Sequence, residues 1–483
     1  MTPASVELRG FGYRPPNRSQ WALRNLDLSV EAGERVLLLG SSGSGKSTIL
    51  RALAGLLDAG GEQAGIAAVD GVAAARARDR VGLLLQDPDA QLVLSRAGED
   101  VAFGPQNRGY QPDEVARRVA EALESVGFPY SVDRPVGALS GGERQRLALA
   151  GVLALTPGVL LLDEPTSLLD PAGSELVRNA VSRAVIETGA TVIVVEHQAE
   201  QWLPIVDRVV VVSNGKVAVQ GSPAVVREHP AARDTWLVPP LIQRPPGLLS
   251  QDARAPLLTA SDVSFRYRNS AVDSLTDIQL SLQASAAVSV TGPNGSGKTT
   301  LARLLGGLVA PTTGAVTASS ALTGSTLTQP NPHRWRAREL AGRIGSVFQN
   351  PEHAFLAHNV RQELAIGPRA LGRSERQVTE IVDGLLTRLH LEQVVDANPF
   401  TLSGGEQRRL SVAAALATSP HILILDEPTF GQDPVTWREL VKLVAGLRDQ
   451  AAAIVVVTHD AAFRDQVSDH ELRLTSSGRM ATA

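Results

Sequence analysis

A short glycine-rich stretch occurs twice in this chain, as Leu-Ser-Gly-Gly-Glu at residues 139–143 and again at residues 402–406. Each copy runs directly into an alanine- and leucine-rich pattern that is typical of a helix. Backbone N–H groups at a helix N-terminus have no partner inside the helix, so such an end binds anions. The stretch therefore predicts an anion-binding helix end in each half of a duplicated chain.

A second glycine-rich stretch precedes each copy and has the G-x-x-x-x-G-K-[ST] pattern of a phosphate-binding loop. Glycines let backbone amides close around a phosphate, a lysine neutralises its oxygens, and a hydroxyl can ligate Mg²⁺. Such a loop alone indicates only a nucleotide, because kinases, GTPases and many motors have one. The loop residues predicted to bind nucleotide are Gly40, Ser41, Gly43, Ser44, Gly45, Lys46, Ser47 and Thr48, and Gly292, Asn294, Gly295, Ser296, Gly297, Lys298, Thr299 and Thr300.

The two stretches together resemble those of ATP-binding cassette (ABC) ATPases, with two cassettes fused in tandem. That resemblance implies an α/β fold in which each cassette has a RecA-like core, an antiparallel β subdomain and a helical subdomain carrying the Leu-Ser-Gly-Gly-Glu signature. We expect the first cassette at residues 1–236, a proline-rich linker at 237–256 and the second cassette at 257–483. A serine-, threonine- and proline-rich stretch at 319–332 is predicted to be an exposed loop.

In this family the signature of one cassette faces the phosphate loop of the other. The resemblance therefore implies an intramolecular head-to-tail pseudo-dimer with two ATP sites. The signature residues expected to bind nucleotide in it are Ser140, Gly141, Gly142, Ser403, Gly404 and Gly405.

Two adjacent acids end an apolar strand pattern 23 positions after each signature serine, as Asp163-Glu164 and Asp426-Glu427. Burying carboxylates without a cation or hydrogen bonds is costly. Magnesium ATP supplies such a cation, so we expect Asp163 and Asp426 to bind Mg²⁺ together with the loop hydroxyls of Ser47 and Thr299. Glu164 and Glu427 then orient or deprotonate the attacking water, and both sites are predicted to hydrolyse ATP.

Gln86 and Gln349 each lie 54 positions before the signature serine of their half. A lone glutamine after a strand is usually structural. The shared spacing, however, matches the Q-loop glutamine of the family, which implies a catalytic role, a place beside Mg²⁺ and a relay to a membrane partner.

Tyr13 and Tyr267 lie 33 and 31 positions before the loop lysines of their halves. Their placement matches an aromatic residue that stacks on adenine in the family, and packing against the sheet is the alternative.

Four further positions match functional residues of the family. His197 and His459 follow strand patterns and match the switch histidine that holds the γ-phosphate. Asp170 and Asp433 match the D-loop aspartate that contacts the opposite site, although Asp-Pro is also a common turn.

Composition narrows the setting of the chain. There is no cysteine, no apolar run long enough to cross a bilayer and no secretory signal pattern at the N-terminus. The formal charge of -4 gives no reason to expect nucleic acid as the main partner. The lack of cysteine fits the cytoplasm, and the family resemblance implies a protein bound peripherally at the cytoplasmic face of the cell membrane.

Residues 87–107 are similar to the helix after the Q-loop in the ATPases of energy-coupling factor importers, including cobalt and vitamin uptake systems, and residues 362–368 are a looser version. The resemblance implies an ATPase that drives micronutrient uptake through a transmembrane coupling protein and a small substrate-binding membrane protein. The alternatives are the tandem ATPase of a sugar or other small-solute importer and a soluble tandem ABC protein on the ribosome. The ribosomal alternative requires a long charged helical arm between the cassettes, and the linker is proline-rich.

Overall fold

The computed structural model describes residues 2–16, 20–41, 43–167, 169–196, 199–236, 256–268, 270, 272–324, 327–429, 432 and 434–481. The chain divides into two compact units, made essentially of the residues before and after position 237. Almost all of the expected linker lies outside the described residues, and its last residue, Pro256, begins a strand of the second unit. The cassette boundaries themselves stay a prediction.

The first unit combines two sheets with helices. Its strands are β1 (Val6–Arg14), β2 (Leu23–Val30), β3 (Arg35–Leu39), β4 (Glu62–Val69), β5 (Val72–Ala73), β6 (Val81–Leu84), β7 (Val159–Asp163), β8 (Thr191–Val195), β9 (Arg208–Ser213) and β10 (Lys216–Gly221). Its helices are α1 (Lys46–Leu53), α2 (Ala97–Asn107), α3 (Pro112–Ser125), α4 (Gly141–Leu153), α5 (Pro171–Thr188), α6 (Pro223–Glu228) and α7 (Arg233–Trp236).

The larger sheet of the first unit has the order β10-β9-β3-β8-β7-β6 and is parallel apart from β10. Alternate residues of its strands enter different cores. Leu161 packs with α1 and the antiparallel sheet β2-β1-β4-β5, whereas Leu160 and Leu162 pack with helices α2 to α5. Because both faces are covered, the strands are continuous apolar runs, as expected for a parallel sheet.

The second unit repeats this plan. Its strands are β11 (Pro256–Phe265), β12 (Leu275–Gln283), β13 (Ala287–Thr291), β14 (Thr313–Ala318), β15 (Ile344–Val347), β16 (Ile422–Asp426), β17 (Ala453–Val457) and β18 (His470–Arg473). Its helices are α8 (Lys298–Leu305), α9 (Ser320–Thr323), α10 (Ala337–Ala341), α11 (Val360–Ala370), α12 (Glu375–Arg388), α13 (Gly404–Leu416), α14 (Pro434–Asp449) and α15 (Ala461–Val467).

The parallel sheet of the second unit has the order β15-β16-β17-β13-β18, and its antiparallel sheet has the order β12-β11-β14. Ile424 packs toward α8 and the antiparallel sheet, while Leu423 and Leu425 pack toward α11, α12 and α13. The expected α/β core, antiparallel subdomain and helical subdomain are thus confirmed in both units.

The prediction of an exposed loop at residues 319–332 is wrong in part. Residues of this stretch form α9, in which Leu322 is only 2% exposed. The side-chain amide of Asn331 donates to the backbone carbonyl of Val316, and the indole of Trp335 donates to the backbone carbonyl of Gln329. The polar composition concealed a segment that is tied to β14, whose Ala318 amide also donates to the carbonyl of Pro330.

Within the described ranges, no helix combines the length and the apolar character needed to cross a bilayer.

Candidate functional site

The phosphate-loop lysine of each unit is folded back onto its own loop. Lys46 Nζ donates to the carbonyls of Gly40 (2.7 Å) and Ser41 (3.0 Å). Lys298 Nζ does the same with Gly292 (2.9 Å) and Pro293 (2.8 Å). Each ammonium group is therefore held at the centre of a loop at the N-terminus of a helix, where an anion is also favoured by the helix dipole.

The last glycine of each loop is required by its backbone conformation. Gly45 and Gly297 cap α1 and α8 with φ of 104° and 91°, a left-handed region that side chains disfavour. A Cβ on Gly45 would lie 2.5 Å from Leu23 Cδ2, and one on Gly297 would lie 2.5 Å from the carbonyl oxygen of Ser274. The loop can reach this close to the neighbouring strand only without a side chain.

Each loop also holds a buried hydroxyl without a partner. Within the described part of the chain, Ser44 Oγ and Ser296 Oγ make no hydrogen bond, and the two side chains are 4% and 0% exposed. A Cβ on Gly43 or Gly295 would meet nothing within 4 Å, so the tips of the loops are open. Unused donors around an open loop fit a phosphate chain.

The first acid of each pair lies next to the hydroxyl after the loop lysine. Ser47 Oγ donates to Asp163 Oδ1 over 3.2 Å, and burial followed by the charge of Glu164 raises the pKa of Asp163 to about 6. Burial also raises the pKa of Asp426, although a hydrogen bond from Thr299 opposes the shift. Asp426 Oδ1 has no hydrogen-bond partner among the described residues. A buried carboxylate oxygen without a donor, next to a hydroxyl, fits a divalent cation such as Mg²⁺.

In the second unit the residues expected around Mg²⁺ share one cavity. Its volume is about 400 Å³, and its lining includes Thr299, Gln349 and Asp426. In the first unit, Gln86 Nε2 donates to Glu164 Oε2 over 2.8 Å. Each Q-loop glutamine therefore lies close to an acid of its own unit.

The second acid of each pair has an unusual backbone. Glu164 and Glu427 have φ of 48° and 50°, and the amide of each donates to the end of the neighbouring strand, at Val195 and Val457, over 2.9 Å. Such a conformation is uncommon for a side-chain-bearing residue and is found at functional sites. It turns the acid away from the strand direction at the carboxyl edge of the sheet.

Burial, and then the charge of Asp426, raises the pKa of Glu427 to about 8. The Glu427 side chain is 14% exposed, and its Oε2 accepts from the backbone amide of His459 over 3.3 Å. His459 Nε2 lies 3.1 Å from Asn294 Oδ1 and 3.6 Å from Glu427 Oε1. His459 thus bridges the phosphate loop and the acid within one unit.

The signature serines begin their helices with capping boxes. Ser140 and Ser403 Oγ each accept from the amide three residues on over 3.4 Å, while Glu143 and Glu406 accept from the serine amides over 2.8 Å. Gly141 and Gly404 are exposed, and Gly142 and Gly405 are buried. The helix ends predicted from the sequence are present, and their contact with nucleotide stays a prediction.

The two tyrosines are not equivalent. By strand register, Tyr13 pairs with Leu23 as Phe265 pairs with Leu275, so Phe265 and not Tyr267 corresponds to Tyr13. Tyr13 is 4% exposed, whereas Tyr267 is 42% exposed and its hydroxyl lies 3.0 Å from Thr300 Oγ1. Tyr267 therefore offers a ring face for base stacking and Tyr13 does not in this conformation.

Of the remaining expected residues, Asp170 accepts from the amide of Gly173 over 2.7 Å and caps α5. His197 and Asp433 lie outside the described residues. The sequence reasoning overlooked Arg408, a buried arginine beside the second acid pair. The signal that could have found it is one of the differences between the two signature helices, Gln145 against Arg408.

Each unit exposes two apolar side chains at corresponding positions after its Q-loop glutamine. Val93 (63% exposed) and Phe103 (45%) do so in the first unit, and Leu356 (77%) and Ile366 (37%) in the second. The segments are built alike, since Asp100 accepts from the amides of residues 93 and 94 and Glu363 from those of residues 356 and 357. A repeated exposed apolar pair indicates a surface that another molecule covers.

Comparison with known proteins identifies a family to which the chain is similar. The sequence profile of the family described as ABC transporter matches residues 23–167 and 275–430. A Bifidobacterium longum protein, provisionally named an ABC transporter ATP-binding protein, is 33% identical over 97% of this chain, which spans 64% of that protein's length. A Bacillus subtilis protein, provisionally named an HMP/thiamine import ATP-binding protein, is 31% identical over 98% of this chain and 90% of its own length.

A solved structure shares the fold over most of the chain. The archaeal ribosome recycling factor, in its complex with a ribosomal stalk protein, is 22% identical over 93% of this chain and 84% of its own, with a TM-score of 0.61. CbiO1 from Clostridium perfringens, described as part of the ABC transporter complex CbiONQ, is 32% identical over 46% of this chain and 90% of its own, with a TM-score of 0.42.

Proposed function

The chain belongs to the ABC transporter family and carries two ATPase cassettes in tandem, and from that premise we propose that it is the ATP-hydrolysing subunit of an energy-coupling factor importer. It drives the uptake of a vitamin, metal ion or other micronutrient through separate transmembrane subunits. Its place is the cytoplasmic face of the cell membrane.

The observation that carries this proposal is the repeated apolar pair, Val93 with Phe103 and Leu356 with Ile366. Both pairs follow a Q-loop glutamine that lies close to an acid of its own unit. A transmembrane coupling protein that covers these side chains would be mechanically close to the ATP sites. The provisional name of the Bacillus subtilis relative, an import ATP-binding protein for HMP and thiamine, supports an importer of a small nutrient.

The proposed chemistry follows from the side chains around each loop. When bound, magnesium ATP supplies the electrophilic γ-phosphoryl group and the cation that the buried aspartates need. Lys46 and Lys298 neutralise phosphate oxygens from the centre of their loops. Glu164 and Glu427 hold the attacking water and take its proton. His459 fixes the position of Glu427 relative to the phosphate loop.

We further propose that the two cassettes pair head to tail, so that the signature of each completes the ATP site of the other. The open helix ends at Gly141 and Gly404 and the capped serines beside them support this arrangement, because an exposed helix N-terminus favours an anion.

The proposal is tested by affinity capture of the chain from detergent-solubilised native membranes, with the captured proteins identified by mass spectrometry. We expect a multi-span coupling protein and a small substrate-binding membrane protein. Leu356→Asp should lose both proteins, because a charge on the apolar pair opposes its burial. Ile186→Asp is the matched control, since Ile186 is also 77% exposed but lies on α5.

Capture of ribosomal proteins without any membrane protein would contradict the importer function and leave the tandem ATPase. Equal losses with Leu356→Asp and Ile186→Asp would contradict the assigned docking surface.

A further inference from the structure

One of the buried positions at which the two signature helices differ carries a charged side chain in only one of them. The fifth residue after the signature serine is Gln145 on α4 and Arg408 on α13, and the next residue is an arginine in both helices. Both side chains are inaccessible, with Gln145 0% and Arg408 4% exposed. The second unit therefore carries a buried guanidinium group where the first carries a neutral amide.

Arg408 contacts the backbone of the second acid pair. Its Nη1 donates to the carbonyl oxygen of Glu427 over 2.9 Å and to that of Asp426 over 3.3 Å. Burial lowers the pKa of Arg408 to about 10, so the side chain is still a cation at neutral pH. A charged donor on a backbone carbonyl is a strong hydrogen bond, and it restrains the peptide that follows the catalytic acid.

In the first unit a different residue restrains the same carbonyl. Ser167 Oγ donates to the carbonyl oxygen of Glu164 over 2.8 Å. The side-chain amide of Gln145 has no hydrogen-bond partner in the part of the chain that the structure describes. The sequence position that corresponds to Ser167 is Phe430, a residue without a side-chain donor. The two differences compensate each other, because this carbonyl accepts from Ser167 in the first unit and from Arg408 in the second.

We propose that Arg408 is a positioning residue of the second ATP site, which ties the backbone of Glu427 to the helix that begins at the signature serine Ser403. The proposal rests on the catalytic role proposed above for Glu427. Among the described residues of the first unit, Gln145 makes no such hydrogen bond, and Ser167 belongs to the loop that follows Glu164 itself. Displacement of α13 is therefore passed to the acid of the second unit through Arg408, whereas Gln145 does not pass displacement of α4 to Glu164.

A consequence is that the two sites are unequal in a defined direction. In the proposed head-to-tail pairing, Ser403 contacts nucleotide in the first site. Nucleotide bound there would then act through α13 and Arg408 on Glu427, so the first site influences the second more than the reverse.

The test measures ATP turnover in two single-site backgrounds. Glu164→Gln leaves only the second site able to hydrolyse ATP, and Glu427→Gln leaves only the first. Arg408→Gln, which gives the second unit the residue of the first, should lower kcat about tenfold in the Glu164→Gln background. Its effect should be at least threefold smaller in the Glu427→Gln background, and KM for ATP should change by less than about twofold.

Ser167→Ala is the mirror variant, and it keeps the proposal testable should Arg408→Gln fail to fold. It should lower kcat more in the Glu427→Gln background than in the Glu164→Gln background. Arg408→Lys, which keeps a charged donor, should recover part of the loss. Arg409→Gln is a neighbouring control, and thermal unfolding monitors the folding of every variant.

Equal losses from Arg408→Gln in both backgrounds, or a loss in neither, would overturn the proposal, because a merely structural arginine affects helix α13 without regard to the site. Absence of turnover in the Glu164→Gln background alone would overturn it together with the role of Glu427. Absence of turnover in the unmodified chain would instead overturn the proposed ATPase function.

Discussion

The side chains that decide the chemistry were recognisable in the sequence, but their conformations were not. The acids at the ends of β7 and β16 follow from strands that stop at paired carboxylates. The left-handed backbone of Glu164 and Glu427 is set by the amide bonds to Val195 and Val457, which join residues far apart in sequence. Likewise, Tyr13 and Tyr267 were expected to play the same role, although they lie 33 and 31 positions before the loop lysines. Phe265 is instead the counterpart of Tyr13, because each pairs with a leucine ten residues further along the chain, Leu275 and Leu23 respectively.

Burial of Glu427 predicts a pH-dependent stability in buffer without Mg²⁺ or nucleotide. Its pKa is raised to about 8 from an ordinary value of 4.5. Between these values the unfolded chain releases a proton that the folded chain keeps, so the free energy of unfolding falls as pH rises. Glu427→Gln removes this effect. The free energy of unfolding of the variant should equal that of the wild type near pH 4. From about pH 5 to 8 the variant should become more stable than the wild type by up to about 1.4 kcal/mol for each pH unit.

Urea unfolding at a series of pH values measures this gain. Glu380→Gln is the control, because the Glu380 side chain is 63% exposed. A difference between Glu427→Gln and wild type that stays constant from pH 5 to pH 8 would contradict the predicted burial of the carboxyl group.

At the scale of elements, the sequence predicted the strands, the phosphate loops and the helices that follow them, because glycine spacing and apolar runs are local signals. It did not predict α9, whose carbonyl groups at Leu322 and Thr323 accept from the guanidinium group of the distant Arg343. The junction between the second loop and its helix is closely packed. At Gly297, the backbone of α8 passes so close to Ser274 that only hydrogen fits.

Two glycines of the second loop allow the cost of backbone strain to be measured separately from the cost of a steric clash. Gly295 and Gly297 have φ of 79° and 91°, so alanine is strained at either position, by about 1–2 kcal/mol. At Gly295 the added Cβ meets nothing within 4 Å, whereas at Gly297 it would lie 2.5 Å from a carbonyl oxygen. Gly297→Ala should therefore lower the free energy of unfolding by about 1–3 kcal/mol more than Gly295→Ala does.

Urea unfolding of both variants gives the comparison, and binding of a fluorescent ATP analogue shows whether the loop still closes. Equal destabilisation by the two substitutions would contradict the close approach of the loop to Ser274.

At the scale of the whole molecule, duplication was the strongest signal in the sequence. Identical spacing between Q-loop, signature and acid pair in both halves predicted two complete cassettes, and the two units share one plan of sheets and helices. The differences between the units were not predicted. They lie in single buried residues such as Gln145 and Arg408, whose contacts depend on which helix packs under which strand.

Each unit has an Asp-Glu pair among its described residues, and the two pairs predict that both sites hydrolyse ATP. Glu164→Gln and Glu427→Gln should each lower steady-state ATP turnover to about half or less, because each removes one general base. The double variant should lose about 10²–10⁴-fold. Phosphate release from purified chain, with unfolding midpoints as the folding control, measures all three. A single variant with the full wild-type rate would show that its site does not turn over.

The joining of both units in one chain has a consequence for how the protein can change. In a symmetric dimer of one gene product, every substitution appears in both sites at once. In this chain a mutation in one half does not change the other half. An arginine can therefore arise next to Glu427 while a serine is kept next to Glu164. The duplicated gene thus carries two inheritable versions of one catalytic centre, and selection can tune each of them separately.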